Sequence, residues 1–258
     1  MKAFLLHSWF MTLRSVRAMS RQPLYIVLSL VQPAIWLLLF GGLFNRVVEI
    51  PGFAATSYVN FITPGVVVMT AWFSGGWSGF DIINEIDLGV LDRFLTSPAN
   101  RGALIVGRLG YQAFATTIQV AIILTMGWLV GARYPGGAVG VGVLVACAAL
   151  LVTALASISH ATALLLRKEE SVIAAVNFLT LPLTFLSSIF MQENLAPPWI
   201  QRVALFNPLD WAVQAGRMAV SGSGEWGPIL QRMGLLLVLA ILCAWLATLA
   251  FGVYRRSV

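Results

Sequence analysis

A chain of 258 residues that is 59% hydrophobic and 10% charged lies far from soluble domains, which run about 45–50% apolar and about 25% charged. Its mean hydropathy of +0.87 marks an integral membrane protein. The formal charge of +6 arises from Lys and Arg scattered at the ends of apolar runs, which excludes a nucleic-acid-binding patch. Cys147 and Cys243 both sit inside apolar runs, so neither a structural disulfide nor a metal site is expected.

Residues 2–21 predict a helix lying in the headgroup layer. His7, Arg14, Arg17 and Arg21 share one side of a helical wheel, and Leu5, Trp9, Leu13 and Val16 lie broadly on another, although Phe10 interrupts the basic side. Such a helix sets its arginines against anionic membrane lipids. No small-residue cleavage pattern precedes the first apolar run, so the segment reads as retained. Six runs then approach the about 20 apolar residues that cross a bilayer: 24–44, 58–80, 103–130, 138–166, 171–191 and 229–253. The expected fold is all-α, a single membrane domain over residues 1–258 with six transmembrane helices. Pro33, the Pro64-Gly65 pair and Pro182 fall inside the first, second and fifth runs, where the missing N–H predicts kinks.

With the N-terminus inside, the inner side holds Lys2, Arg14, Arg17, Arg21, Arg93, Arg101, Arg108, Arg167, Lys168, Arg255 and Arg256. The outer side holds only Arg46, Arg133, Arg202, Arg217 and Arg232. This bias predicts both termini in the cytoplasm of a multi-pass protein.

Between the second and third runs, charge returns abruptly. Four of the ten acidic residues, Asp81, Glu85, Asp87 and Asp92, fall in one segment. Read as one helix over 81–95, Asp81, Glu85 and Asp92 lie within an arc of about 40°. Ile83, Ile86, Val90 and Phe94 gather around the opposite face, with Asp87 and Arg93 flanking the apolar stripe. Pro98 and Asn100-Arg101 then end the helix and begin the next element. A plain turn needs only a few residues. About twenty with opposed faces predict a docking element presented to a partner.

The longest outer loop, 192–228, is not polar. Asn207 fits an N-cap, Pro208 the first helical position, Asp210 the first turn and Gly222 the stop. That helix is too short to span, and it predicts a re-entrant element with Trp199 and Trp211 at the interface. Phe40, Met69, Trp72, Phe178 and Phe185 are candidates to line a hydrophobic path for cargo, against the plainer reading of core or lipid-facing side chains.

No nucleotide site is expected in this chain. A phosphate-binding loop needs Gly-Lys-Ser/Thr, and the two lysines are Lys2 and Lys168, neither in that context. If ATP drives this chain, the ATP and Mg are bound by a separate ATPase, and this chain has no cofactor of its own. Gly76-Trp77-Ser78-Gly79, with His160 two runs later, is similar to the serine motif of rhomboid intramembrane proteases, which also have six spans. That chemistry requires the His within hydrogen-bond reach of the Ser. Small residues for close helix packing are the plainer reading.

The run Asp87-Leu-Gly89-Val-Leu-Asp92-Arg93-Phe-Leu-Thr-Ser-Pro98-Ala-Asn-Arg101, followed by Gly107-Arg108, resembles the coupling segment of ABC-2 type permeases, in particular the daunorubicin-resistance branch. Pro33 with Phe40-Gly41, Pro64-Gly65, and Asn207-Pro208 with Arg217 resemble further motifs in the same order. Asn100 departs from the Ser common in that branch. The resemblance implies a permease that pairs with an identical or related permease and binds two cytoplasmic ABC ATPase subunits in the bacterial inner membrane. It implies a coupling role for Glu85, Asp87, Gly89, Asp92, Arg93, Pro98 and Arg101. It also implies export of a drug-like natural product, a lipid or a glycolipid, with a lipid-linked polysaccharide or wall polymer as the alternative cargo.

Overall fold

The computed structural model describes residues 2–20, 23–53, 55, 57–90 and 101–256, which are all-helical apart from turns, with no strand among them. In chain order the helices are α1 (Lys2–Ser20), α2 (Pro23–Ile35), α3 (Tyr58–Trp77), α4 (Gly79–Asp87), α5 (Arg101–Leu129), α6 (Gly137–Leu166), α7 (Glu169–Phe185), α8 (Pro198–Ala204), α9 (Pro208–Ser221) and α10 (Trp226–Arg256). Four stretches among them are long and apolar enough to cross a membrane: Tyr58–Asp87, Leu104–Leu129, Gly137–Leu166 and Trp226–Tyr254. They correspond to the second, third, fourth and sixth expected runs.

The other two runs are shorter than expected, for identifiable reasons. Over 24–44, α2 gives way to a π-helical turn at Trp36–Phe40 and then to a single turn, Gly41–Leu43. Pro33, buried inside α2, has no N–H for the helix ladder, and the π turn begins three residues later. Its apolar part is Val27–Leu43. The run at 171–191 is helical only to Phe185, because side chains of α9 and its cap take the backbone that would continue it. Asn207 Nδ2 donates to the carbonyls of Leu183 (2.7 Å) and Leu186 (3.0 Å). The Ser188 N–H donates to Asp210 Oδ1 at 2.8 Å. By contrast α3 runs unbroken through Pro64, and α7 runs through Pro182 to its end.

The helix expected over 81–95 is also corrected. Its acidic first half is α4, which follows α3 directly after Ser78 and stops at Asp87. Gly89 then takes φ 63°, the left-handed conformation that ends helices and that glycine adopts without steric strain. Asp92, Arg93 and Pro98 lie outside the described residues.

The helix α6 is the hub, packed against α3, α5, α9 and α10. Leu144, Leu151, Val152 and Leu155 on α6 are fully or almost fully buried, as are Ile62, Val66 and Val67 on α3. These interfaces use small residues, as expected where backbones approach closely between spanning helices. At Gly65 a Cβ would come within 2.9 Å of the Ile189 carbonyl oxygen, so only glycine lets the turn after α7 pack against α3.

Candidate functional site

Glu85 sits where three helices meet. Its Oε1 accepts from Arg14 Nη2 of α1 at 2.9 Å, and its Oε2 pairs with Arg108 Nη2 of α5. Arg108 and Glu85 are largely shielded, whereas Arg14 is half exposed. The contact is strengthened by a close α1–α5 seam, in which Thr12 Oγ1 donates to the Gly107 carbonyl at 2.8 Å. Leu6, Trp9 and Phe10 remain exposed on α1. The arginine side of α1 expected to meet lipid thus gives Arg14 to a carboxylate instead. Asp81 and Asp87 are exposed on the same short helix, and Gly89 turns the chain beyond it. Arg101 opens α5, the first residue described after 91–100.

From this node a cavity of about 880 Å³ runs between α1, α2, α3, α4 and α5. Its charged end holds Arg14, Asp81, Glu85 and Arg108. Farther along it is lined by Ser29, Gln32, Ser74, Gln112 and Gln119, together with Pro33, Trp36, Met69 and Phe73. Gln112 Nε2 donates to Ser74 Oγ at 2.7 Å, and Gln119 Nε2 to Ser29 Oγ at 3.2 Å. Sequence reading passed over this polar seam. The available signal was two glutamines inside an apolar span, since intramembrane polar residues face protein or a cavity by default.

A second polar network lies at the far end of α3. Asn207 caps α9 by accepting from the Leu209 N–H at 3.0 Å, Pro208 takes the first helical position, and Gly222 closes the helix at φ 70°. The α9 helix packs against α6 and α3, which brings Arg217 over the Phe61 ring, with 3.7 Å from guanidinium carbon to ring centroid. Arg217 Nη2 donates to the carbonyls of Phe61 and Ser188, each at 3.1 Å. Asp210 Oδ2 accepts from Gln214 Nε2 at 2.5 Å, and Gln214 Oε1 accepts from Arg232 Nη2 at 2.6 Å. Burial lowers the Arg217 pKa to about 10, against the pull of Asp210 and Tyr58, so it stays cationic near neutrality. Burial raises the Asp210 pKa, and the hydrogen bonds from Ser188 oppose that shift.

The candidate cargo-path residues do not share one surface. Met69 lines the cavity, and Trp72 is buried in the core. Phe40 joins an aromatic group with Trp36, Phe44 and Phe190. Phe178 and Phe185 are 79% and 69% exposed. Ser78 Oγ donates to the Gly75 carbonyl at 2.7 Å, and buried His160 is hydrogen-bonded to the Ser78 backbone. Ser159 of α6 accepts from the Gly79 N–H at 3.0 Å. This arrangement is a packing seam between α3, α4 and α6. Among the described residues, no cluster of three or more His, Cys, Asp or Glu could hold a metal ion.

Residues 7–220 match the family model described as ABC-2 type transporter. The chain is 30% identical over 264 residues to a daunorubicin resistance ABC transporter permease protein of Streptomyces coeruleorubidus, covering 99% of this chain and 87% of that protein. It is 27% identical to a putative transport permease of Pyropia yezoensis, over 91% of this chain and 85% of that one. Against an inner membrane transport permease of Escherichia coli K12 the identity is 25%, over 92% and 93% of the two chains.

Proposed function

Because this chain belongs to the ABC-2 type transporter family, we infer that it is the transmembrane subunit of an ATP-driven exporter of hydrophobic or amphipathic compounds. The family match over residues 7–220 carries this reading. Two copies, or this chain and a related permease, form the membrane part, and two cytoplasmic ATPase subunits bind ATP and Mg. In this reading each permease crosses the bacterial inner membrane six times, with both termini in the cytoplasm, and the short runs at 24–44 and 171–191 complete the bundle. Residues 192–228 face outside as re-entrant helices.

The segment 81–101 docks on the ATPase, with Asp87, Gly89, Asp92, Arg93, Pro98 and Arg101 shaping the contact. Glu85 has a different part in the same event. Its carboxylate is taken by Arg14 and Arg108, so it transmits rather than docks. A push on the segment is passed to α1 and α5 together, and the cavity between those helices changes shape.

The test is to express tagged permease beside its candidate ATPase and to measure co-purification and ATP hydrolysis in nanodiscs. The expected result is a complex with two ATPase chains whose hydrolysis rises with cargo. Asp92→Ala with Arg93→Ala should release the ATPase while leaving the permease folded. Normal assembly and coupled transport in that double variant would overturn the docking assignment.

A further inference from the structure

Two carboxylates share one face of α4, and among the described residues only one of them is in an ion pair. Asp81 and Glu85 are about 40° apart around the helix and about 6 Å apart along it. Both line the charged end of the cavity together with Arg108. Glu85 holds Arg14 and Arg108, whereas Asp81 is exposed and in neither pair. Arg108 nevertheless attracts Asp81 as well as Glu85. Among the described residues its guanidinium makes one hydrogen bond, through Nη2 to Glu85, so the fork has donors left for a second acceptor.

The two carboxylates differ in how far a tilt of α4 carries them. At its first residue α4 is clamped. Ser159 Oγ of α6 accepts from the Gly79 N–H at 3.0 Å and donates to the Gly76 carbonyl at 2.5 Å, so one side chain ties both helices across Ser78. A Cβ at Gly79 would come within 2.5 Å of that oxygen. The other end of α4 is open. Asp87 and Leu88 are exposed, and a Cβ at Gly89 would meet nothing within 4 Å. Measured from Gly79, Asp81 lies about 3 Å along the helix and Glu85 about 9 Å. A tilt about the clamp therefore moves Glu85 about three times as far as Asp81. Arg108 is largely shielded, and a shielded charge left without a partner is costly.

We propose that Asp81 is the standby partner of Arg108: when α4 tilts and Glu85 leaves, Arg108 passes to Asp81, so the node has two paired positions and no unpaired one between them. Asp81 is a positioning residue that acts through Arg108. Placing this exchange in a transport cycle rests on the exporter reading above; the exchange itself does not.

The test is a double-mutant cycle, read as the melting temperature of the full-length purified permease. Asp81→Asn alone should shift melting by under about 2 °C. Glu85→Gln alone should lower it by about 5 °C, the loss being softened because Arg108 falls back on Asp81. With both changes Arg108 has no carboxylate, and the loss should exceed the sum of the two by about 5 °C. The same cycle with Asp87→Asn in place of Asp81→Asn should be additive, since Asp87 lies about 160° from Glu85 around α4. The excess should persist in an Arg14→Gln background, because Arg108 is the shared cation. An excess below about 2 °C, an equal excess with Asp87→Asn, or its loss with Arg14→Gln overturns the exchange. A loss from Asp81→Asn alone as large as that from Glu85→Gln also overturns it, because Asp81 would then hold Arg108 already in the parent. In nanodiscs with the ATPase bound, Asp81→Asn should lower kcat for ATP hydrolysis about fivefold and leave KM for MgATP unchanged, and Asp81→Glu should restore kcat. An unchanged kcat overturns the part of the exchange in the cycle. A melting excess in a permease that recruits no ATPase would sink the exporter reading and leave the exchange standing. Firm ATPase pairing without the excess would sink the exchange alone.

Discussion

The two ends of the α3–α4 rod use the same chemical parts in opposite ways. At the α4 end one carboxylate, Glu85, is shared by arginines from α1 and α5, and one of those arginines is half exposed. At the other end Arg217 is enclosed by α3, α9 and the turn after α7. It bonds two backbone carbonyls and an aromatic face, while Asp210 is held separately on the Ser188 N–H. The half-exposed Arg14–Glu85 pair contributes about 1 kcal/mol or less. Removing one partner of a buried charged group is destabilising by about 3–5 kcal/mol, because polar groups are left without partners in a low dielectric. One end is therefore built to hold helices while letting them shift, and the other to fix them. That contrast fits a machine pushed at one end and anchored at the other.

The strongest way to break the contrast is Arg217→Leu. It should lower the melting temperature of the purified permease by about 10 °C, from a loss of about 3 kcal/mol or more. Arg217→Lys should recover only part, since an ammonium lacks the fork that reaches both carbonyls. A shift under about 2 °C for the leucine variant would show that the anchored end is not an anchor.

Acidity sharpens the same point. Burial raises the folded-state pKa of Asp210 above its unfolded value, so its stabilising contribution is full at acid pH and is lost as pH rises through the raised value. The stability margin of the parent over Asp210→Asn should shrink from acid toward neutral pH. A margin that widens with pH in the same melting series would mean that the network stabilises the carboxylate form instead.

Arg14→Gln should shift melting by only about 3 °C, yet it should lower cargo-stimulated ATP hydrolysis in the assembled complex. A melting loss as large as that of Arg217→Leu would erase the difference between the ends. Ser78→Ala should be the smallest change, within about 0.5 kcal/mol, because its hydroxyl only returns to the Gly75 carbonyl. A peptide-cleaving activity lost in that variant would restore the protease alternative.

Features governed by neighbours in the chain were legible without coordinates. Hydropathy marked an all-helical membrane protein, because the apolar character of a run is a property of the run itself. Asn207, Pro208 and Gly222 marked α9 from cap to stop, since capping joins residues only a few positions apart. Gly89 was read as part of a recurring motif, but its left-handed φ, and with it the end of α4, emerged only in the fold. The pairings of Glu85 bridge 71 and 23 positions, and those of Arg217 bridge 156 and 29. Helical periodicity placed Glu85 on a polar face but could not say that α1 and α5 already occupy it. The early end of α7 and the cavity beside the Gln112–Gln119 stripe are of the same kind. They arise where helices distant in sequence converge, and only packing determines which polar groups meet.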